Sequence, residues 1–186
     1  LIKTWRSTSA HSITNPLKIE EVLDLNNGNI TGGNNLWMSD IVAPGLPLVR
    51  RKAGSLDSQL NYMGPTDFEY YNGGGTTIIA GYELPTSTDE QHFRNLTTTG
   101  NTPVRLSKDQ HMFGIINTAT AILDLYGNTL TVKGDEDHLT GDDILDTAVI
   151  SGGLSFILTG PNPATVTGNF DLPDVAVTAT GAPIKD

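Results

Sequence analysis

Between residues 117 and 168 apolar side chains recur in short alternating runs that glycine keeps interrupting, a pattern of strands and not of helices. Thr118 to Leu125 runs into Tyr126-Gly127-Asn128, and Thr129 to Lys133 then restores strict alternation. There Leu130 and Val132 face one way and Thr129, Thr131 and Lys133 the other. After an acidic loop come Thr147 to Ile150, the Gly152-Gly153 break, Leu154 to Leu158, the turn Gly160-Pro161-Asn162-Pro163 and Ala164 to Gly168. The spacing predicts a meander of β-hairpins.

The same pattern begins at Gln59. Gln59 to Tyr62 and Phe68 to Tyr71 precede Gly73-Gly74-Gly75, which reads as a hairpin turn, and Thr76 to Leu84 follows. Residues 85–109 are polar and read as a long loop of the kind that forms lids and binding surfaces. His111 to Leu125 gives one long strand bent at Gly114. No internal repeat of 20–50 residues is visible, and about eight strands are expected. The expected fold is therefore all-β: an antiparallel β-barrel formed by a single domain over 51–186, with a β-sandwich or jelly roll as the alternative.

Residues 1–50 read as a long irregular arm. Leu17, Ile19, Val22, Leu23 and Leu25 suit either a short helix, started by Asn15-Pro16 and stopped by Asn26-Asn27-Gly28, or a strand. The Asn/Gly-rich stretch 26–35 and Pro44-Gly45-Leu46-Pro47 break the chain further. Such an arm has no core of its own, so Trp37, Met38, Ile41 and Val42 are expected to form an apolar anchor for a protein partner.

Composition narrows the function classes. The chain has 186 residues, enough to bury one sizeable core, and no cysteine, which removes disulfides, thiolate catalysis and Cys-ligated metals. Net charge is −10, with 2 bases against 10 acids in residues 111–186, so that half would repel phosphate backbones and anionic lipid. Nucleic acid is not an expected partner, and Arg50-Arg51-Lys52 reads as a solvated loop. No apolar run approaches the length of a membrane span. Low charge content with abundant Gly, Asn and Thr, and a start at Leu1 that suits a processed form, point to an exported, extracellular or organelle-lumenal protein. Sequons stand at Asn29 and Asn95.

The order A-T-A-I-L-D-L-Y-G-N-T-L-T-V-K-G, a loop ending in D-D-I-L-D-T, then A-V-I-S-G-G-L-S-F-I-L-T-G and A-T-V-T-G resembles the closing hairpins of the allene oxide cyclase and dirigent-like barrels. The resemblance covers residues 118–168. Where that family carries a third glycine soon after the pair, this chain has Leu154 and Ser155. The resemblance implies an eight-stranded antiparallel barrel, in a dimer or trimer, whose apolar pocket confines a reactive small molecule. It carries no catalytic residue over to this chain.

Candidate chemistry is sparse. His11, His92, His111 and His138 are scattered without zinc-site spacing, and no G-x-S-x-G elbow or phosphate loop is present. Asp135, Asp137, Asp142 and Asp143 crowd one acidic loop and are the candidate Ca²⁺ ligands. Leu139 breaks the EF-hand spacing and Asp146 is too short for its last ligand, so a solvated turn is the leading reading. Tyr62, Phe68, Tyr70 and Tyr82 are the candidates for lining a ligand site. Glu69 and Glu83 are the carboxylates within predicted strands beside them, and an inward-facing one would be the acid/base candidate.

The leading expectation is a non-catalytic structural or accessory subunit docking on a larger assembly or on copies of itself, with no cofactor. The alternatives are a cofactor-free, cyclase-like barrel of the isomerase class acting on an apolar small molecule, and a Ca²⁺-dependent extracellular adhesive module.

Overall fold

The computed structural model describes residues 2–41, 43–71, 73–114, 116–119, 122–126 and 128–132, and beyond them the strand segments 148–152, 155–157, 165–168, 170–171 and 176–178. The acidic loop with Asp135, Asp137, Asp142 and Asp143 lies outside the described residues, as does Val42. The protein is all-β: among the described residues every regular element is a strand except a single 3-10 turn at Gly33–Asn35.

Three sets of strands account for the architecture. The first contains β1 (Ile2–Arg6), β3 (Leu17–Leu25), β6 (Leu48–Arg51), β9 (Thr66–Tyr71), β11 (Phe93–Thr99), β14 (Ile116–Ala119), β17 (Ala148–Gly152) and β20 (Phe170–Asp171). Each is paired to the next in that order. The second contains β2 (His11–Ser12), β4 (Asn29–Thr31) and β7 (Ser55–Leu56), and then, as a separate ladder, β10 (Ile78–Ile79), β12 (Val104–Arg105), β15 (Ile122–Asp124), β18 (Ser155–Ile157) and β21 (Ala176–Thr178). The third is β5 (Leu36–Met38) and β8 (Asn61–Tyr62), which continue from the first half of β3, and, separately, β13 (Gln110–Met112), β16 (Thr129–Val132) and β19 (Thr165–Gly168). The chain visits the three faces in turn and then lays the next circuit on the last, winding as a solenoid of stacked coils.

Every ladder between named strands is parallel. The antiparallel expectation is corrected here, and the physical reason is simple. Alternation tells which side of a strand is apolar and says nothing of the direction of its neighbour. A corner between strands on different faces carries the same glycine signature as a hairpin, and the coil itself supplies the long crossover that parallel pairing requires. The triple glycine is such a corner, with Gly74 and Gly75 at φ 59° and 80°, a region that costs a glycine little. Nor is the main sheet a closed barrel: it is a curled half-barrel of parallel strands whose order ends at β20 and β8.

The N-terminal segment is regular where an irregular arm was expected. Leu17–Leu25 takes the strand alternative, and its Ile19, Leu23 and Leu25 are fully buried. The ladder β3, β6, β9 runs without interruption across residue 50. Stacking puts like side chains one above another. Trp5, Leu23, Val49, Phe68 and Leu96 occupy successive positions of one inward column, and all but the partly buried Trp5 lie in the core. Beside it, facing outward, Arg6, Asp24, Arg50 and Glu69 form a column of alternating charge. There Arg50 Nε donates to Glu69 Oε2 at 2.6 Å, and Tyr71 Oη donates to Asp24 Oδ1 at 2.6 Å. Opposite charges directly across a ladder hold the register that like charges would disfavour.

Candidate functional site

The column that follows the apolar one is where the stack departs from pure packing. Leu25, Arg51, Tyr70 and Thr98 share it, so an arginine stands where its neighbours in the coil below and above are buried. The guanidinium needs partners, because a buried charge without them is strongly unfavourable. Arg51 Nε donates to the Gly54 carbonyl at 2.6 Å, and Nη1 donates to the Ile79 carbonyl at 2.8 Å and to Glu83 Oε1 at 2.5 Å. Glu83 Oε1 also accepts from Tyr70 Oη at 2.9 Å and from the Gly81 amide at 3.0 Å. Tyr62 Oη donates to the Glu83 carbonyl. Burial, followed by the nearby Glu83 carboxylate, pushes the Tyr62 and Tyr70 phenols well above their ordinary range, so both remain donors at any physiological pH.

Glu83 Oε2 has no hydrogen-bond partner and is buried. Beside it opens a cleft of about 390 Å³ whose wall includes Arg51, Ile79, Tyr82, Glu83, Ser107 and Lys108. The cleft lies where the ladder of the second face is interrupted: β7 pairs with β4 and β10 with β12, and β7 and β10 are not paired with each other. Arg51 crosses that gap. Lys108 Nζ donates to Gln59 Oε1 at 3.0 Å and to the Leu84 carbonyl at 3.2 Å, and burial pulls its pKa down against the opposing pull of Glu83. A second hollow of about 410 Å³ also has Arg51 in its wall, with Lys52, Gly73 and Ile78.

The residues singled out in the sequence separate cleanly. Glu83 is inward and at the cleft, whereas Glu69 sits on the outer face with Arg50 and takes no part. Phe68 is core, packed edge-on against Phe93 at 4.9 Å and Tyr62 at 6.0 Å, and is not in the wall of this cleft. Tyr70 is core as well and contributes its hydroxyl to Glu83. Tyr62 stacks on His92, whose Nδ1 is 2.7 Å from Asp89 Oδ2. Tyr82, half exposed, stands in the cleft wall.

Of the expected anchor, Met38 is fully buried among core side chains and is corrected from partner contact to core, because alternation along β5 turns it inward while Trp37 turns out. Trp37 is 40% exposed, Ile41 38% and Met63, next to β8, 46%. The sequence reading put Arg51 in a solvated loop, whereas it lies in β6 with 12% of its side chain exposed, and it passed over Lys108 and Gln59 as site residues. Arg51 had a signal, since it lies two residues after Val49 and so on the same side of the strand. Lys108 and Gln59 are loop residues that only the stacking of coils brings together.

Among the described residues no group of three His, Asp or Glu side chains is placed to hold a metal. No helix of the described residues is long and apolar enough to cross a membrane. No family model matches this chain, and no curated protein or solved structure matches it either.

Proposed function

We propose that the protein is a non-catalytic structural module that takes its place in a larger protein assembly. The observation that carries this reading is the apolar surface on the third face: Trp37, Ile41 and Met63 are exposed on neighbouring stretches of chain, beside Leu36 and Met38, which are fully buried. β5 and β8 bring these stretches together, and the Met63 amide donates to the Met38 carbonyl at 3.1 Å. Interface cores favour Trp and Met, and a Trp that is ringed by well-packed neighbours is the usual anchor.

The fate of the buried polar groups supports the same reading. Arg51 with Glu83 and Arg94 with Asp67 each tie one coil to the next. Their chemistry is committed to holding the stack. A stack of coils suits a scaffold because each coil presents a fixed outer surface at a fixed height.

The test is the size of the protein with its natural co-purifying partners, compared between wild type and Trp37→Ala. The reading expects the variant to lose the assembly at an unchanged melting temperature. An intact assembly, or a large fall in melting temperature of the free chain, would count against it.

A further inference from the structure

Two corners of successive coils face each other where the second-face ladder is broken. On one side β6 turns into β7 through Lys52, Ala53 and Gly54, and on the other β9 turns into β10 through the triple glycine, Thr76 and Thr77. The second hollow, of about 410 Å³, opens between them. Among the described residues its wall holds Arg51 and Lys52 and no carboxylate, in a chain with 21 acidic residues against 11 basic ones. We propose that this hollow binds a tetrahedral oxyanion, a phosphate or sulfate group, independent of any docking on the third face.

The groups that carry the site are open to solvent, and all of them donate. Lys52 is partly exposed, and among the described residues its ammonium has no ion-pair or hydrogen-bond partner. Thr76 and Thr77 are exposed, and their hydroxyls have no partner there either. The broken ladder adds a backbone donor. The Ile78 and Ala80 amides donate to the Pro103 and Arg105 carbonyls of the next coil at 2.9 and 2.8 Å, so alternation turns the Ile79 amide and carbonyl the other way, into the gap. There the carbonyl accepts from Arg51 Nη1, and Ile79 is 55% exposed.

Charge and shape select the class. Glu83 neutralises the Arg51 guanidinium, so the net charge of the wall is that of Lys52 alone. One cation at a solvated site calls for one anionic group and is too little for a polyanion. A cationic ligand would meet Lys52 and Arg51 with no carboxylate in the wall to offset them. A carboxylate presents two oxygens in one plane, whereas the donors here come from both corners of the slot. A tetrahedral group presents oxygens to both at once.

The experiment is a backbone-amide NMR titration of the full chain with sodium phosphate and, separately, sodium sulfate, with sodium chloride holding the ionic strength constant. At least one anion should shift the Lys52, Thr77 and Ile79 amides saturably, with a Kd on the order of millimolar. Lys52→Met removes a charge that has no partner in the fold, and should weaken binding about tenfold at an unchanged Tm. Lys3→Met, at a lysine 3.4 Å from Glu21 in the first coil, should bind as wild type does. Phenyl phosphate and phenyl sulfate present the same groups on a carrier. Tighter binding than that of the bare ion assigns the hollow to a group on a larger molecule, and equal or weaker binding assigns it to the free ion. Absence of saturable shifts with both bare anions overturns the proposal. So do equal affinities in wild type and Lys52→Met, or shifts that sodium chloride alone reproduces.

Discussion

Arg51 and Glu83 stand 32 positions apart in the chain and 2.5 Å apart in space, Nη1 to Oε1, with 12% and 1% of their side chains exposed. They span the gap between β7 and β10, where no backbone ladder joins the coils. Arg51→Met strands the carboxylate and Glu83→Gln strands the guanidinium. Each should destabilise the protein by about 3–5 kcal/mol, because the charge left behind is buried and uncompensated. The double variant should be less destabilised than the two losses added together, and urea unfolding of all four proteins measures the coupling.

A second buried pair should respond to a change of shape alone. Arg94 Nε and Nη2 meet the two Asp67 oxygens at 2.6 and 2.8 Å, and Nη2 also reaches the Leu46 carbonyl at 3.0 Å. Lysine keeps the charge and loses the fork. Arg94→Lys should cost about 1.5–3 kcal/mol, the worth of a hydrogen bond to a charged group. On the outer face, Arg50→Lys opposite Glu69, a pair with 33% and 17% of its side chains exposed, should cost less, about 1 kcal/mol. Equal losses in the two variants would contradict the difference in burial.

Strand content was legible in the sequence because alternation is a local property, and the columns of Leu23, Val49, Phe68 and Leu96 follow from it. Coil stacking was not. Partners in the main ladder, Trp5 with Leu23, Leu23 with Val49, Val49 with Phe68, Phe68 with Leu96 and Leu96 with Ile116, are separated by 18, 26, 19, 28 and 20 residues. Short and long coils alternate, with loops such as 39–47 and 80–92 lodged in the long ones, so no fixed period survives for the eye to find. The inward turn of Arg51 was legible from Val49, yet its neighbours Arg50 and Lys52 made the triplet look like a solvated cluster. Glu83 and Tyr70 were both legible as candidates, but Arg51, which binds Glu83 from the preceding coil, was not, nor was Lys108, which feels its charge from the following one.

Alkali should loosen the outer column through Tyr71. Burial first, and then its hydrogen bond to Asp24, raise this phenol from its ordinary value near 10 to about 12. Between those values the folded state holds a proton that the unfolded chain has released, so stability falls as pH rises. The contribution is complete below the unfolded value and is lost as pH climbs through the folded one. Denaturant midpoints measured from pH 9 to 12 should decline over this window, and Tyr71→Phe should flatten the decline. A variant that tracks the wild type throughout would remove Tyr71 as its cause.

Adjacent residues of β5 should respond in opposite ways to truncation. Met38 is fully buried in the core and Trp37 points outward, with 40% of its surface open. Met38→Ala removes a side chain from a packed interior and should cost about 2–5 kcal/mol, the transfer term plus the cavity left behind. Trp37→Ala removes more atoms and should still cost less than Met38→Ala in the isolated chain, because 40% of its surface stays in water in the folded state. If Trp37 serves an assembly, its loss appears instead in the stability of the complex, where hot-spot truncations reach about 2 kcal/mol or more. Thermal and urea unfolding of the two single variants separates the cases. A Trp37→Ala loss as large as that of Met38→Ala in the isolated chain would move the indole into the core's own packing and leave the third face without its anchor.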